Sequence, residues 1–236
     1  MGNRSLERLG AASGLAFVVL SLLSAFIYPQ QPASDSSATT TLAWVHDHRM
    51  ALQAGMIVAL FAAGVLVWFA AYLRVTITRR EDGHGEMLGA VVFGGGIALA
   101  VISALAALPT ALLAFMDSQK AGISDAGIVR MLGDLNTVLF SAASVMTAVF
   151  LAAIGLALID RELGVPWLGW VALVVAALNG VAVWIEVTFS SYHGKAWNAV
   201  GWGAFIGFLA VVLITSVVRL TRRDAVAART PQVAVS

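Results

Sequence analysis

The chain contains no cysteine and few charged side chains, and both scarcities narrow what it can be. Without cysteine there are no disulfides, no thiolate metal ligands and no cysteine nucleophile. Only 11% of the 236 residues are charged, whereas a soluble domain carries about 25%. With 60% hydrophobic residues and a mean hydropathy of +0.89, the composition is that of an integral membrane protein.

The sequence also lacks the motifs that would indicate an enzyme or a nucleic-acid-binding protein. It has no phosphate-binding glycine loop followed by Lys-Ser/Thr, no Gly-x-Ser-x-Gly elbow and no His-Glu-x-x-His zinc motif. The net charge is +1, and no basic stripe is interleaved with aromatic residues. The four histidines fall in loops or at predicted helix ends, so a pair of axial haem ligands is missing. We therefore predict no catalytic residues, no metal, no cofactor and no nucleic-acid partner.

Six apolar stretches are long enough to cross a bilayer, which takes roughly 20 helical residues. Helices are predicted because the backbone in lipid must satisfy its own hydrogen bonds, and these runs do not alternate as barrel strands do. We predict an all-α, polytopic bundle of six transmembrane helices over residues 1–223, followed by a disordered cytoplasmic tail over 224–236. The spans are predicted at about 10–28, 50–73, 87–116, 131–159, 167–189 and 199–218.

The distribution of lysine and arginine predicts the orientation of the bundle. Ten of these residues fall on the side of the N-terminus and four on the other side, which favours both termini in the cytoplasm. An alternative is that the first stretch is a cleaved signal peptide, but its apolar run is longer than the usual 7–15 residues. We expect a multi-pass membrane protein with this orientation; the resemblance described below implies the bacterial cytoplasmic (inner) membrane. Its expected partners are the lipid bilayer and another membrane protein.

Small residues at four-residue spacing predict where helix backbones approach each other. Gly10 and Gly14, and likewise Gly203 and Gly207, have the spacing that allows close helix contact. Pro109 predicts a kink in the third span. Before the second span, the Ser- and Thr-rich residues 30–42 predict a mobile loop, which leads into an amphipathic segment at residues 42–49.

The fourth span carries a stripe of small and polar residues on one helix face. Its steps of three and four residues keep the members aligned. The stripe consists of Asp134, Thr137, Ser141, Ser144 and Ala148. We expect this face to point into the bundle, because lipid offers no hydrogen-bond partner. It could serve as packing contact between helices or line a small polar cavity.

The candidate functional site is a cluster of costly polar residues toward the outer leaflet. Its members are Asp134, Asn136, Asn179 and Glu186. The candidate partners at the outer face are His46, His48, Arg49 and His193. Ionisable groups within a membrane raise a functional hypothesis by default. Three interpretations stay open: ion pairs that pin helices together, proton or cation binding beside a transport pathway, and metal binding by the histidines and carboxylates.

Two short motifs carry a resemblance to a known group of proteins. The motifs are Asp134-Leu135-Asn136 with Pro166-Trp167-Leu168-Gly169-Trp170, and the opening Arg8-Leu9-Gly10-Ala11-Ala12-Ser13-Gly14. In these motifs the chain resembles small six-pass membrane proteins of actinobacteria that form a domain family of unknown function. The resemblance implies no activity, cofactor or catalytic residue. We expect a non-enzymatic accessory or interaction protein; the alternative is a small carrier or channel that uses Glu186 and Asp134.

Overall fold

The structure is a computed structural model, and it describes residues 3–32, 36–78, 84–118, 125–160, 165–188 and 195–229. Within these ranges the regular structure is entirely helical. The helices are α1 (Asn3–Ile27), α2 (Ala38–Ile77), α3 (His84–Ala106), α4 (Leu108–Ser118), α5 (Ala126–Ile159), α6 (Pro166–Thr188) and α7 (Lys195–Arg229).

Six spans in the described part of the chain are long and apolar enough to cross a membrane, which confirms the predicted six-helix, all-α class. The third span consists of α3 and α4 together, because the helix is interrupted at Ala107. Pro109 has no N–H to donate one turn back, so the predicted kink is confirmed as a break. α7 continues to Arg229, into the segment that we predicted to be disordered, and residues 230–236 lie outside the described ranges.

Two helices begin earlier than the apolar runs suggested, and each begins at a polar capping residue. The Ser37 hydroxyl accepts a hydrogen bond from the Thr40 N–H at 3.2 Å, and α2 starts directly after it. The Asp125 carboxylate accepts one from the Gly127 N–H at 2.7 Å at the start of α5. The prediction that residues 30–42 form a mobile loop is therefore wrong from Ala38 onward. The N-cap hydrogen bond of Ser37 outweighed the polar composition.

The helices form a closed ring in which each packs against its neighbours. α2 contacts α1, α3 and α4; α5 contacts α3, α4 and α6; and α7 contacts α6 and α1. We call the end at which α1 begins the proximal end, and the end at which α1 finishes the distal end. In the predicted orientation, the proximal end is cytoplasmic.

The proximal part is held by direct backbone contact between helices. A Cβ atom at Gly169 would lie 2.6 Å from the Gly155 carbonyl oxygen and 2.9 Å from the Ile159 nitrogen, so α5 and α6 touch through their backbones. The Phe208 ring on α7 packs against Phe17 and Phe150, with ring centroids 5.6 and 6.3 Å apart. This apolar core joins α1, α5 and α7 at the middle of the bundle.

The glycine predictions are partly confirmed. Gly10 lies against the Tyr72 ring and Gly14 against Ser216 and Phe69, as the four-residue spacing predicted. Gly207 packs against Val175. The prediction for Gly203 is wrong, since no heavy atom lies within 4 Å of the position its Cβ would take.

Three helices extend beyond the thickness of a membrane at the distal end. A hydrocarbon layer of about 30 Å takes about 20 helical residues. About 20 residues from the charged positions at the proximal ends, Arg8, Arg74, Glu86 and Asp160, the count reaches Tyr28 on α1, Ala54 on α2, Ala106 on α3 and Phe140 on α5. The three long spans continue past these positions in residues 38–53 of α2, all of α4 and residues 126–139 of α5, which we call the distal cap.

Candidate functional site: the distal cap and the polar layer beneath it

A layer of side-chain hydrogen bonds lies at the level where the membrane-spanning part ends. Ser24 on α1 donates to the Gly55 carbonyl of α2 at 3.1 Å. The Tyr28 hydroxyl donates to the Thr110 hydroxyl of α4. The Asn136 side-chain amide on α5 donates to the Ala106 carbonyl at 2.7 Å. We call these four side chains, Ser24, Tyr28, Thr110 and Asn136, the polar layer.

Asn136 compensates for the broken helix between α3 and α4. Ala106 is the last residue of α3, and the final carbonyls of a helix have no partner within it. The side chain of Asn136 is buried, with 5% of its surface exposed, and its Nδ2 reaches this carbonyl across the interface between helices. A buried carbonyl without a partner costs about 1–3 kcal/mol. The hydrogen bond from Asn136 therefore removes much of the free-energy cost of the freed Ala106 carbonyl at this break.

Tyr28 fastens the end of α1 to the beginning of α4. Burial raises the pKa of the Tyr28 phenol, while its hydrogen bonds to Thr110 and Gln31 act in the opposite direction. A raised pKa keeps the hydroxyl protonated and able to donate. Thr110 is itself buried, so the bond is shielded from competing water. The bond ties two elements that are 82 positions apart in the chain.

The distal cap has a small hydrophobic core of its own. Six apolar side chains of α2, α4 and α5 form a cluster separate from the main core. They are Val45, Leu52, Leu113, Ala114, Val129 and Leu132. Tyr28 and Trp44 pack against this cluster, so the polar layer lies between two apolar cores. Separate burial of this kind is expected for a unit that leaves the lipid and must shield apolar residues from water.

One side-chain contact between His46 and Asp117 joins the outer parts of α2 and α4. The Nδ1 atom of His46 lies 3.2 Å from each carboxylate oxygen of Asp117. The His46 side chain is 69% exposed and the Asp117 side chain 24% exposed, so the contact faces solvent. His48, two residues further along α2, instead donates from Nδ1 to the Trp44 carbonyl of its own helix at 2.8 Å. The two histidines thus have different roles.

Large apolar side chains are exposed on the surface of the distal cap. Phe115 on α4 is 55% exposed, and Met131 on α5 is 60% exposed. Leu112 on α4 and Ile128 and Leu135 on α5 add to the same apolar character. α4 and α5 pack against each other. These five residues, which we call the cap patch, lie on α4 and α5 within the distal cap.

The prediction that the α5 stripe faces the interior is wrong at its distal end. Ser141 is buried, but Asp134 and Thr137 are exposed. Asp134 therefore does not point into the interior of the bundle.

The structure also separates Asp134 from Asn136. Residues two positions apart on a helix point in different directions. Asn136 faces α3, where its amide donates to the Ala106 carbonyl, and the Asp134 side chain is exposed on another side of α5. The predicted cluster of both residues with Glu186 stays a prediction.

Asn179 is buried in α6, and its side-chain amide forms a hydrogen bond within that helix. Its side chain is 5% exposed and donates from Nδ2 to the Val175 carbonyl one turn back, at 2.8 Å. That carbonyl also receives the backbone N–H expected in an α-helix. The side chain thus satisfies itself locally without a partner on another helix.

The remaining predicted site residues can be placed only in part. The Glu186 side chain and residue His193 lie outside what the structure describes, so the predicted partners of Glu186 stay predictions. Arg49 is half-buried at the base of the cap. In the described ranges, no group of three or more histidine, aspartate or glutamate side chains is arranged as metal ligands.

Sequence reasoning missed the residues that form the polar layer around α4. Tyr28 and Thr110 are ordinary residues in an apolar chain, and only the fold brings them together. One signal was present: Pro109 implied a freed carbonyl nearby, and a buried amide donor such as Asn136 is the group that such a carbonyl needs.

Comparison of the chain with protein-family models, with curated proteins and with solved structures found no match. The structure itself defines the class, a multi-pass helical membrane protein with a helical cap at one end.

Proposed function

We propose that the chain is a non-enzymatic accessory protein of a bacterial cytoplasmic membrane, which binds another membrane protein through the cap patch. The occupant we propose is a helix of that partner, just beyond the lipid. The observation that carries this proposal is the exposure of Leu112, Ile128 and Met131 in the distal cap, further along their spans than the roughly 20 residues that cross a bilayer. In lipid an exposed apolar side chain needs no explanation, but beyond it a group of such residues marks an interaction site.

The height of the cap patch supports a partner in the same membrane. Phe115 lies seven residues after Leu108, the first residue of α4. This separation is a rise of about 10–12 Å along the axis of α4. A partner anchored in the same bilayer can present an apolar segment at this height without leaving the lipid. Confinement to one plane also raises the effective concentration of the two proteins.

The hydrogen bonds of the buried amides favour an interaction protein over a carrier. Asn136 donates to the Ala106 carbonyl and Asn179 to the Val175 carbonyl, so both side chains satisfy the protein backbone. A transport pathway through these residues would have to break such bonds during each cycle. The alternative of a carrier that uses Glu186 and Asp134 has one direct test. If the chain is an interaction protein, proteoliposomes that contain it should show no proton flux. A proton flux that is lost in the Glu186→Gln variant would instead favour the carrier.

Site-specific photo-crosslinking in native membranes tests the proposal. A photoreactive amino acid is placed at Phe115 or Met131 in the cap patch, and as matched controls at Phe61 or Val174. The control residues are 66% and 60% exposed but lie within the membrane-spanning part. We expect one discrete protein adduct from the two cap positions and only lipid adducts from the two controls.

The same adduct from all four positions, or none from the cap positions, would contradict the proposal. If an adduct forms, Phe115→Ser with Met131→Ser should abolish co-purification of the adduct protein. Unchanged thermal unfolding of this double variant shows that the fold is intact, because both side chains are exposed.

A further inference from the structure

We propose that Arg74 and Phe93, near the proximal ends of α2 and α3, form a binding site for the phosphate of an anionic phospholipid. The proposal goes beyond the proposed function, since it concerns the opposite end of the molecule and a lipid in place of a protein partner. α2 and α3 pack against each other, and on them Arg74 is exposed and Phe93 is half-buried. The site is therefore open to the surrounding bilayer.

The side chain of Arg74 lies along the surface of α3. The two helices are in close contact here, because a Cβ atom at Gly89 would lie 2.6 Å from the Thr78 Cγ2 atom and 3.5 Å from the Arg74 Cγ atom. The guanidinium carbon of Arg74 is 5.3 Å from the centroid of the Phe93 ring. Gly89 and Phe93 are four residues apart and so share one face of α3. The glycine makes room for the arginine stem, and the ring positions its charged end.

The guanidinium of Arg74 retains hydrogen-bond donors for a ligand. The Phe93 ring attracts the cation but has no lone pair to accept from its five N–H groups. Among the residues that the structure describes, no carboxylate forms an ion pair with Arg74. Glu86, the acidic residue of α3, lies seven residues before Phe93, about 10 Å along the helix axis. A phosphate can accept two parallel hydrogen bonds from such a guanidinium.

The location of Arg74 selects a phospholipid as the source of the phosphate. Arg74 is in the last turn of α2, which ends at Ile77, so its charge lies where a span meets the headgroups. Val75 and Val91, next to the two site residues in sequence, are 53% and 39% exposed and can contact acyl chains. A phospholipid gains both contacts, whereas a free phosphate gains only one. An anionic headgroup is favoured because a zwitterionic one brings a positive charge close to the guanidinium.

Native mass spectrometry of the full chain, released from detergent after addition of lipid, tests the proposal. The probes are phosphatidylglycerol, phosphatidylcholine and inorganic phosphate. We expect the first phosphatidylglycerol to bind about fivefold more tightly than the first phosphatidylcholine, the effect of one arginine near an anionic surface. Arg74→Gln should remove this preference. Arg130→Gln is the matched control and should retain it, because Arg130 is also exposed but lies in the distal cap.

Two further variants separate a positioned guanidinium from general attraction to charge. Phe93→Leu keeps the charge and should weaken phosphatidylglycerol binding about two- to fivefold through loss of the ring contact. Arg74→Lys keeps the charge but loses the planar fork, so its preference should be intermediate even if Arg74→Gln does not fold.

Three results would overturn the proposal. They are equal affinity of the unmodified chain for the two lipids, an equal loss of preference in Arg130→Gln, and unchanged binding in Phe93→Leu. Displacement of phosphatidylglycerol by inorganic phosphate would assign the site to a free anion and would also overturn it.

Discussion

The proximal bundle and the distal cap are held together by different means. In the bundle, backbones touch through glycine, as at Gly155 and Gly169. In the cap, helices are joined by a separate apolar core and by side-chain hydrogen bonds from Tyr28 and Asn136. The difference follows from the surroundings, since lipid provides little hydrophobic force between helices and association there depends on close packing. Where helices are in contact with water, burial of apolar side chains again favours their association. Water also competes for the hydrogen bonds of exposed backbone carbonyls.

The largest expected effect is in the bundle, where Gly169→Ala should break the contact between α5 and α6. The new Cβ would meet the Gly155 carbonyl oxygen and the Ile159 nitrogen, which are backbone atoms and cannot move aside. We expect a loss of at least about 3 kcal/mol, because overpacking usually costs 1–3 kcal/mol even where side chains can adjust. Thermal unfolding in detergent measures it.

Gly180→Ala is the matched control on the same helix. No heavy atom lies within 4 Å of the position of its Cβ. This substitution should leave stability unchanged or raise it slightly, because alanine favours helix over glycine by about 1 kcal/mol. Equal losses in the two variants would mean that the backbone contact between α5 and α6 does not hold the bundle.

The second effect compares two equally buried amides. Asn136→Leu leaves the terminal Ala106 carbonyl of α3 without a partner, and we expect a loss of about 1–3 kcal/mol. Asn179→Leu removes a bond to a carbonyl that its own helix already satisfies, so it should cost much less or stabilise. Thermal unfolding gives the two values, and exchange at α4 should rise only in Asn136→Leu. A greater loss from Asn179→Leu would reverse our assignment of the two residues.

A smaller effect is expected at the bond between α1 and the cap. Tyr28→Phe and Thr110→Val should each destabilise by about 1 kcal/mol, and the double variant should lose less than the sum. A double-mutant cycle on unfolding free energies measures this coupling. Fully additive losses would show that the two hydroxyls act separately.

The smallest effect is expected at Asp134. Its side chain is exposed, so Asp134→Asn should change stability by less than about 0.5 kcal/mol. Equilibrium unfolding of this variant beside Asn136→Leu compares two positions that are neighbours in sequence. A loss similar to that of Asn136→Leu would restore Asp134 to the buried cluster that we predicted from the sequence.

The sequence predicted the spans better than it predicted the site. The apolar runs gave six helices, and Pro109 gave the break in the third, because hydrophobic length and a missing N–H are local properties. The candidate site was predicted from the cost of polar groups in lipid, which requires knowing where lipid ends. On α5, Asp134 proved exposed while Asn136 proved buried, because residues two positions apart lie on different faces of a helix.

The amino-acid sequence by itself determined that this chain crosses a membrane in six helices, since lipid forces each long apolar segment to satisfy its own backbone. Only the tertiary structure decided that α2, α4 and α5 rise together into a cap and that Asn136 completes the end of α3. Such pairings join residues far apart in the chain, and no local pattern encodes which freed carbonyl a buried amide will reach.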